Sequence, residues 1–216
     1  MNRPKNNKIR RPQFLCIVGC EGKNQERIYF DKVAELVNCV EERTHDLVFD
    51  YAEPYGGNPK CVVERTIQKS IGKENKVSVF DYDGKKDKYE EAIDNKIELG
   101  YTNYCFDLWL ILHKEDYFDI VQNQDAYADK LRQVFGLAAD ANIKKEKRVT
   151  EIVNQIGLSD IKNAIQRGKK ISEDNQGKEA NKTPKENRYY DNPDTQMHVL
   201  LQFLFAKVGI NIDALG

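Results

Sequence analysis

The segment QFLCIVGC (Gln13–Cys20), closed by Glu21-Gly22, decides how this chain folds. Phe14 to Val18 are consecutive apolar residues with β-branched members and no polar interruption. A strand built from them is buried on both faces, which is the condition of a parallel sheet covered by helices. Behind it, Lys23–Val40 reads as a helix, with Tyr29, Val33, Leu36, Val37 and Val40 at three- and four-residue spacing. Ahead of it, residues Met1–Pro12 carry Arg3, Lys5, Lys8, Arg10 and Arg11 and no acid. That stretch reads as a solvated basic tail, with a phosphate-seeking arm as the minority alternative.

The same alternation continues downstream. Asp46–Tyr51 fits a second strand, Pro54, Gly56, Gly57 and Pro59 mark a turn, and Lys60–Ile71 fits a second helix. Lys76–Phe80 is a third short β-rich run, broken by Asp81-Tyr82-Asp83-Gly84. Lys85–Leu99 has an apolar helical stripe, Thr102–Phe106 reads as a fourth strand, and Asp107–His113 as a strongly apolar helix. Strands alternating with helices argue for β-α-β crossovers and a parallel sheet. From Asp125 to Ala206 only helical periodicity is visible: Ala126–Phe135, Val149–Ile156, Leu158–Ile171 and Thr195–Val208, with Ser172–Asn192 a polar loop. The fold class is therefore an α/β Rossmann-like sheet over residues 13–120, after a tail at 1–12, with an all-helical extension over 121–216 packed on it.

Composition narrows the class. The 216 residues are 40% hydrophobic and 32% charged, with 34 Lys+Arg against 35 Asp+Glu, so a wholesale polycation is excluded while a local basic patch is not. No apolar run approaches the ~20 residues of a membrane span, and no apolar h-region follows the basic N-terminus. Five cysteines without a C-x-x-C suggest neither a disulfide framework nor a zinc ribbon. The expectation is a cytoplasmic protein in a reducing compartment, with no membrane partner. Neither G-x-S-x-G nor a P-loop is present in the sequence, which argues against a serine hydrolase and against a Walker-type ATPase.

In open parallel sheets the functional crevice lies beyond the carboxyl ends of the strands. Glu21 follows the first strand, and Asp81 and Asp83 follow the third, so adjacent strands would bring these acids together. Three carboxylates with waters make a hard oxygen site suited to Mg²⁺ or Mn²⁺. An ordinary Asp/Gly turn competes with that reading. Asp107 opens a helix at the end of the fourth strand, where it either joins the crevice or caps the helix. His113, six residues on, more often satisfies a local hydrogen bond than takes part in chemistry. Glu26 either assists from behind the site or complements the helix N-terminus, and Lys23 can reach a phosphate or sit exposed on its loop. Lys144, Lys145, Lys147 and Arg148 form a basic cluster whose sign Lys162, Arg167, Lys169 and Lys170 continue. If both groups face one way, they track phosphates; a solvated helical face is the competing reading.

The stretch IVGCEGKNQERIYF (Ile17–Phe30) followed by VFDYDG (Val79–Gly84) is similar to the Toprim pattern, a strand-end Glu followed by D-x-D. More narrowly, EGKNQERIYF, NYCFDLWLILH (Asn103–His113) and NPDTQMHVLLQFL (Asn192–Leu204) together resemble the RloB-like family of bacterial abortive-infection proteins. Asn103-Tyr104 stands where that family usually has Asn-Pro, and Asp107 where it has Glu. The resemblance implies a Toprim-type core with Glu21, Asp81 and Asp83 around Mg²⁺ or Mn²⁺. The activity it implies is metal-dependent phosphodiester hydrolysis of RNA or DNA, and the partner is an ABC/SMC-like ATPase encoded nearby. A non-catalytic nucleic-acid- or nucleotide-binding regulatory subunit of that ATPase is the alternative.

Overall fold

A computed structural model describes residues 11–82, 92, 94–121, 123–179 and 193–214. Strands β1 (Gln13–Cys20), β2 (Asp46–Tyr51), β3 (Lys76–Asp81), β4 (Glu98–Asn103) and β5 (Asp194–Thr195) form one sheet in the order β2-β1-β3-β4-β5. The first four are parallel, and β5 adds an antiparallel edge through Thr102↔Thr195 and Asn103↔Asp194. The α/β Rossmann-like class and the helical C-terminal region are as expected from the sequence.

Helix α1 (Gln25–Asn38) follows β1 and buries Tyr29, Val33 and Val37. Helix α2 (Pro59–Lys69) lies between β2 and β3, with Asn58 capping its N-terminus through the Cys61 N–H (3.2 Å). After β4 come α3 (Asp107–Leu112), α4 (Gln124–Val134), α5 (Glu146–Val153), α6 (Leu158–Glu179) and α7 (Met197–Lys207). One face of the sheet meets α1, α3 and α7 in a continuous apolar core running from Phe14 to Ile212. The opposite face is covered by α2, around Val62, Val63, Phe80, Ile97 and Tyr101. Gly19 sits where α2 crosses β1, and a Cβ there would lie 2.0 Å from the Thr66 Oγ1. The close approach of helix to strand requires a residue without a side chain.

Three expectations are corrected. The fourth strand is Glu98–Asn103, not Thr102–Phe106, and the helix expected over Lys85–Leu99 gives way to it by residue 98. Gly100 weakens the strand pattern in the sequence, yet it is needed: a Cβ there would meet Leu200 Cδ2 at 2.5 Å and Met197 Sδ at 2.7 Å. Helix α6 runs on to Glu179 instead of stopping at Ile171. Asn175 holds this extension, donating to the Pro193 carbonyl (3.1 Å) although no apolar stripe advertises it. The region after residue 125 is also not purely helical, because β5 completes the sheet edge.

Candidate active site at the strand ends

The register Cys20↔Val79 between β1 and β3 brings the ends of the two strands level. Glu21 donates its N–H to the Val79 carbonyl (3.0 Å), and its Oε2 accepts the Asp81 N–H (3.1 Å). The acid after β1 is thereby fixed beside the acid that ends β3. Asp81 Oδ1 accepts the Phe106 N–H (3.1 Å), which ties the same point to the start of α3. Asp83 lies outside the described residues, as do the D-x-D spacing and Arg3, Lys5, Lys8 and Arg10 of the tail.

Glu26 is buried in the first turn of α1 and folds back over the β1–α1 loop, its Oε1 accepting the Gly22 N–H (3.0 Å). A Cβ on residue 22 would lie 2.0 Å from Glu26 Oε2, so this carboxylate closes only over glycine. Both earlier readings of Glu26 thus have a geometric content: it serves a backbone donor at the helix start, and it lines the hollow behind Glu21. Burial raises the Glu26 carboxyl above its usual range, against the Gly22 amide and Lys144. Burial likewise raises Asp81 well above its usual range, and the charges of Glu26 and Glu21 add to the effect. The crevice therefore concentrates like charge in a partly desolvated place.

Glu21, Lys23, Gln25, Glu26, Asp81 and Lys144 are in the walls of a cavity of about 220 Å³. Lys144 is its contribution from the helical half. Its Nζ donates to Gln25 Oε1 (2.7 Å) and pairs with Asp107 Oδ1 (3.2 Å), while Gln25 Nε2 donates to the same oxygen (2.6 Å). Asn24 Nδ2 fastens the segment by donating to the Lys144 carbonyl (3.0 Å). Partial burial lowers the Lys144 pKa, but Asp107 outweighs it and the net shift is upward, so the ammonium stays charged. Gln25 is a site residue that sequence reasoning missed; its position inside EGKNQE was the signal available.

The remaining candidates separate. Asp107, 1% exposed, stands behind the cavity wall, facing Gln25 and Lys144. His113 is in the core: Nδ1 donates to the Trp109 carbonyl (2.8 Å), and Nε2 takes the Tyr29 hydroxyl (3.1 Å). Burial lowers its pKa to about 4, so it is neutral at pH 7. Trp109 and Leu112 are fully buried, as their spacing suggested. Lys23 is exposed in the cavity wall, and Lys145 and Lys147 are exposed at the start of α5, whereas Arg148 is paired with Glu151. In the second basic group, Lys162 donates to the Asp213 carbonyl, Arg167 pairs with Asp116, Lys169 with Glu173, and Lys170 lies over the Phe118 ring. Cys16, Cys20 and Cys105 are buried, while Cys39 and Cys61 lie nearer the surface, and all five are free thiols.

A glycine-closed turn, an acid at the end of each central strand and the α3 motif behind them form one connected site. The model of the RloB-like protein family matches residues 16–204. This chain belongs to the RloB-like family. No curated protein and no solved structure matches it. In this RloB-like chain the first two family motifs meet in three dimensions through Gln25–Asp107, and the third, in β5 and α7, packs against β4.

The family resemblance implies a divalent cation. Among the described residues no three His, Cys, Asp or Glu side chains are grouped closely enough to hold an ion. The donor chemistry nevertheless fits. Glu21 and Asp81 offer hard oxygens, and the charges of Glu26 and Glu21, which add to the burial that raises the Asp81 carboxyl, are ones that a cation would neutralise. Among the described residues no helix is long and apolar enough to cross a membrane.

Proposed function

We propose that this RloB-like chain is a divalent-metal-dependent nuclease of Toprim type, hydrolysing phosphodiester bonds in RNA or DNA. The observation that carries this reading is the meeting of Glu21 and Asp81 at the tips of adjacent parallel strands, under a lysine supplied by the second half of the chain. Glu21, Asp81 and Asp83 would hold Mg²⁺ or Mn²⁺. When bound, such a cation neutralises phosphate charge and lowers the pKa of a water.

The chain's own residues do the rest. The Asp81 amide fixes the Glu21 carboxylate, which can take a proton from the attacking water. Lys144 presents its ammonium to a non-bridging phosphate oxygen, and Asp107 and Gln25 hold that ammonium in place. Asp107 is thus a positioning residue in this reading, and its one-methylene difference from the family's Glu acts on Lys144. Glu26 keeps the Gly22 turn closed, and His113 braces α3 against α1 from the core. Lys23, Lys145 and Lys147, all exposed, would meet flanking phosphates.

The family resemblance further supports an antiphage, abortive-infection setting with an ABC/SMC-like ATPase as partner. Because the chain has no P-loop, nucleotide hydrolysis falls to that partner. A second reading, a regulatory subunit that binds nucleic acid or nucleotide without cutting it, draws on the pairing of Lys144 with Asp107. Both are tested by incubating the chain with RNA and DNA panels and Mg²⁺ or Mn²⁺, with and without the ATPase. Cleavage that Asp81→Asn and Glu21→Gln abolish supports the nuclease. Binding without cleavage under every condition supports the regulatory subunit.

A further inference from the structure

Beside the carboxylate cavity lies a second hollow of about 450 Å³, lined by Glu21, Lys23, Glu53, Pro54, Tyr55 and Gly56. Glu21 and Lys23 are in the walls of both, so the two hollows share an edge at the proposed reacting phosphate. Resting on the nuclease reading, we propose that this second hollow is a nucleobase subsite. In it, an unpaired base next to the scissile phosphate stacks against Tyr55.

The wall is built rather than loose. The loop after β2 is fastened to β1 by Ala52 N–H to the Val18 carbonyl (2.8 Å) and Gly56 N–H to the Glu21 carbonyl (2.9 Å). Arg65 of α2 donates to the Gly56 carbonyl from the other side. Gly56 and Gly57 hold φ of 91° and 90°, a conformation that side-chain-bearing residues rarely adopt, and together they turn the loop back toward the sheet. Tyr55 is half-buried and packs on the main core, so its ring stands at a set place relative to Glu21.

Charge decides which part of a nucleotide enters. The walls carry two acids, Glu21 and Glu53, against one base, Lys23. Arg27 acts on Tyr55 as a second cation, so the surroundings give a phosphate no net attraction and leave the hollow to an uncharged group. An aromatic ring beside carboxylate acceptors suits a base, which stacks on the ring and offers N–H donors to the acids. A base can enter only when unpaired, because removing it from a duplex costs unstacking and unpairing. The substrate class is therefore single-stranded nucleic acid, or a loop or end of a folded one.

The test measures binding of the full chain, without divalent metal, to a short oligonucleotide carrying 2-aminopurine, single-stranded or annealed to its complement. Wild type should bind the single strand more tightly and quench the fluorophore. Loss of one stacked base should lower that affinity by about 5- to 150-fold. Tyr55→Leu should show this loss together with the quenching, while Tyr55→Trp keeps both; thermal melting of each variant reports its folding. Glu53→Gln should not raise affinity, because the group against it is a base that donates to the carboxylate and not a phosphate that it repels. If wild type binds and Tyr55→Leu keeps affinity and quenching, the subsite is wrong and the nuclease reading stands. A clear gain in affinity and salt dependence in Glu53→Gln means a phosphate occupies the hollow, which also overturns the subsite. A wild-type chain that binds no strand, with or without Mn²⁺, overturns the subsite and the nuclease reading together.

Discussion

Replacing His113 by Gln tests whether this family-motif histidine braces the core or carries protons. Its ring is 1% exposed, with Nδ1 donating to the Trp109 carbonyl and Nε2 taking the Tyr29 hydroxyl. Burial depresses its pKa from 6.5 to about 4. The sign follows from linkage: the unfolded chain takes up the proton first, so the folded state loses stability as pH falls from about 6.5 through 4. Taking the ordinary value of 6.5 and the buried value of about 4, the loss at pH 4.5 is roughly 2.6 kcal/mol. Once both values are passed it reaches about 3.4 kcal/mol. Other groups titrate in the same range, including His198, which burial also lowers to about 4, and the raised acids Asp81 and Glu26. The quantity to measure is therefore the difference in urea-unfolding free energy between wild type and His113→Gln, at pH 7.5 and at pH 4.5. At pH 7.5 wild type should be the more stable, because Gln cannot replace both hydrogen bonds. At pH 4.5 the gap should shift by roughly 2.6 kcal/mol in the variant's favour. A gap that does not move with pH refutes the buried-neutral assignment. A cleavage pH profile displaced by the substitution would make His113 a proton carrier instead.

Asp81→Asn should abolish cleavage while leaving the melting temperature equal or higher at pH 7 without metal, since like charge is removed. For the same reason the Asp81 and Glu26 contribution should improve as pH falls from 7 toward 5, because raised folded pKa values let both take up protons before the unfolded chain does. Added Mg²⁺ at 100 times its Kd should raise the stability of wild type by about 2.7 kcal/mol, read as a melting shift that Asp81→Asn lacks. Lys144→Ala and Asp107→Asn should each weaken oligonucleotide binding, and the double variant should be less than additive by about 0.5–3 kcal/mol. Full additivity would mean that Asp107 does not act through Lys144. Lys145→Glu with Lys147→Glu should lower the slope of log affinity against log salt by about 1.8 for duplex or 1.4 for single strands. An unchanged slope accompanied by lost ATPase association would make that turn a docking face.

The amino-acid sequence by itself determined the central strands and the acids on them. Gln13–Cys20 has the bounds its composition indicates, because a run of apolar and β-branched residues is favoured in a covered sheet, and the run Lys76–Phe80 falls on the neighbouring strand. Glu21 and Asp81 follow from where those runs stop. Tertiary structure alone decided features whose cause lies far along the chain. Gly100 interrupts its strand pattern because Leu200 and Met197 press on it from α7, a contact across about a hundred residues. Asp194–Thr195 is a strand only because β4 offers it an edge. Asp107 and Lys144 are 37 residues apart and read separately as a catalytic acid and a member of a basic cluster. Only the packing of α5 against α1 joins them through Gln25, which pairs the acid with the lysine. Periodicity reports which face of an element is buried, and a motif reports which groups are present. The partner of a buried charge is set by which surfaces the fold brings together, and no local pattern encodes that.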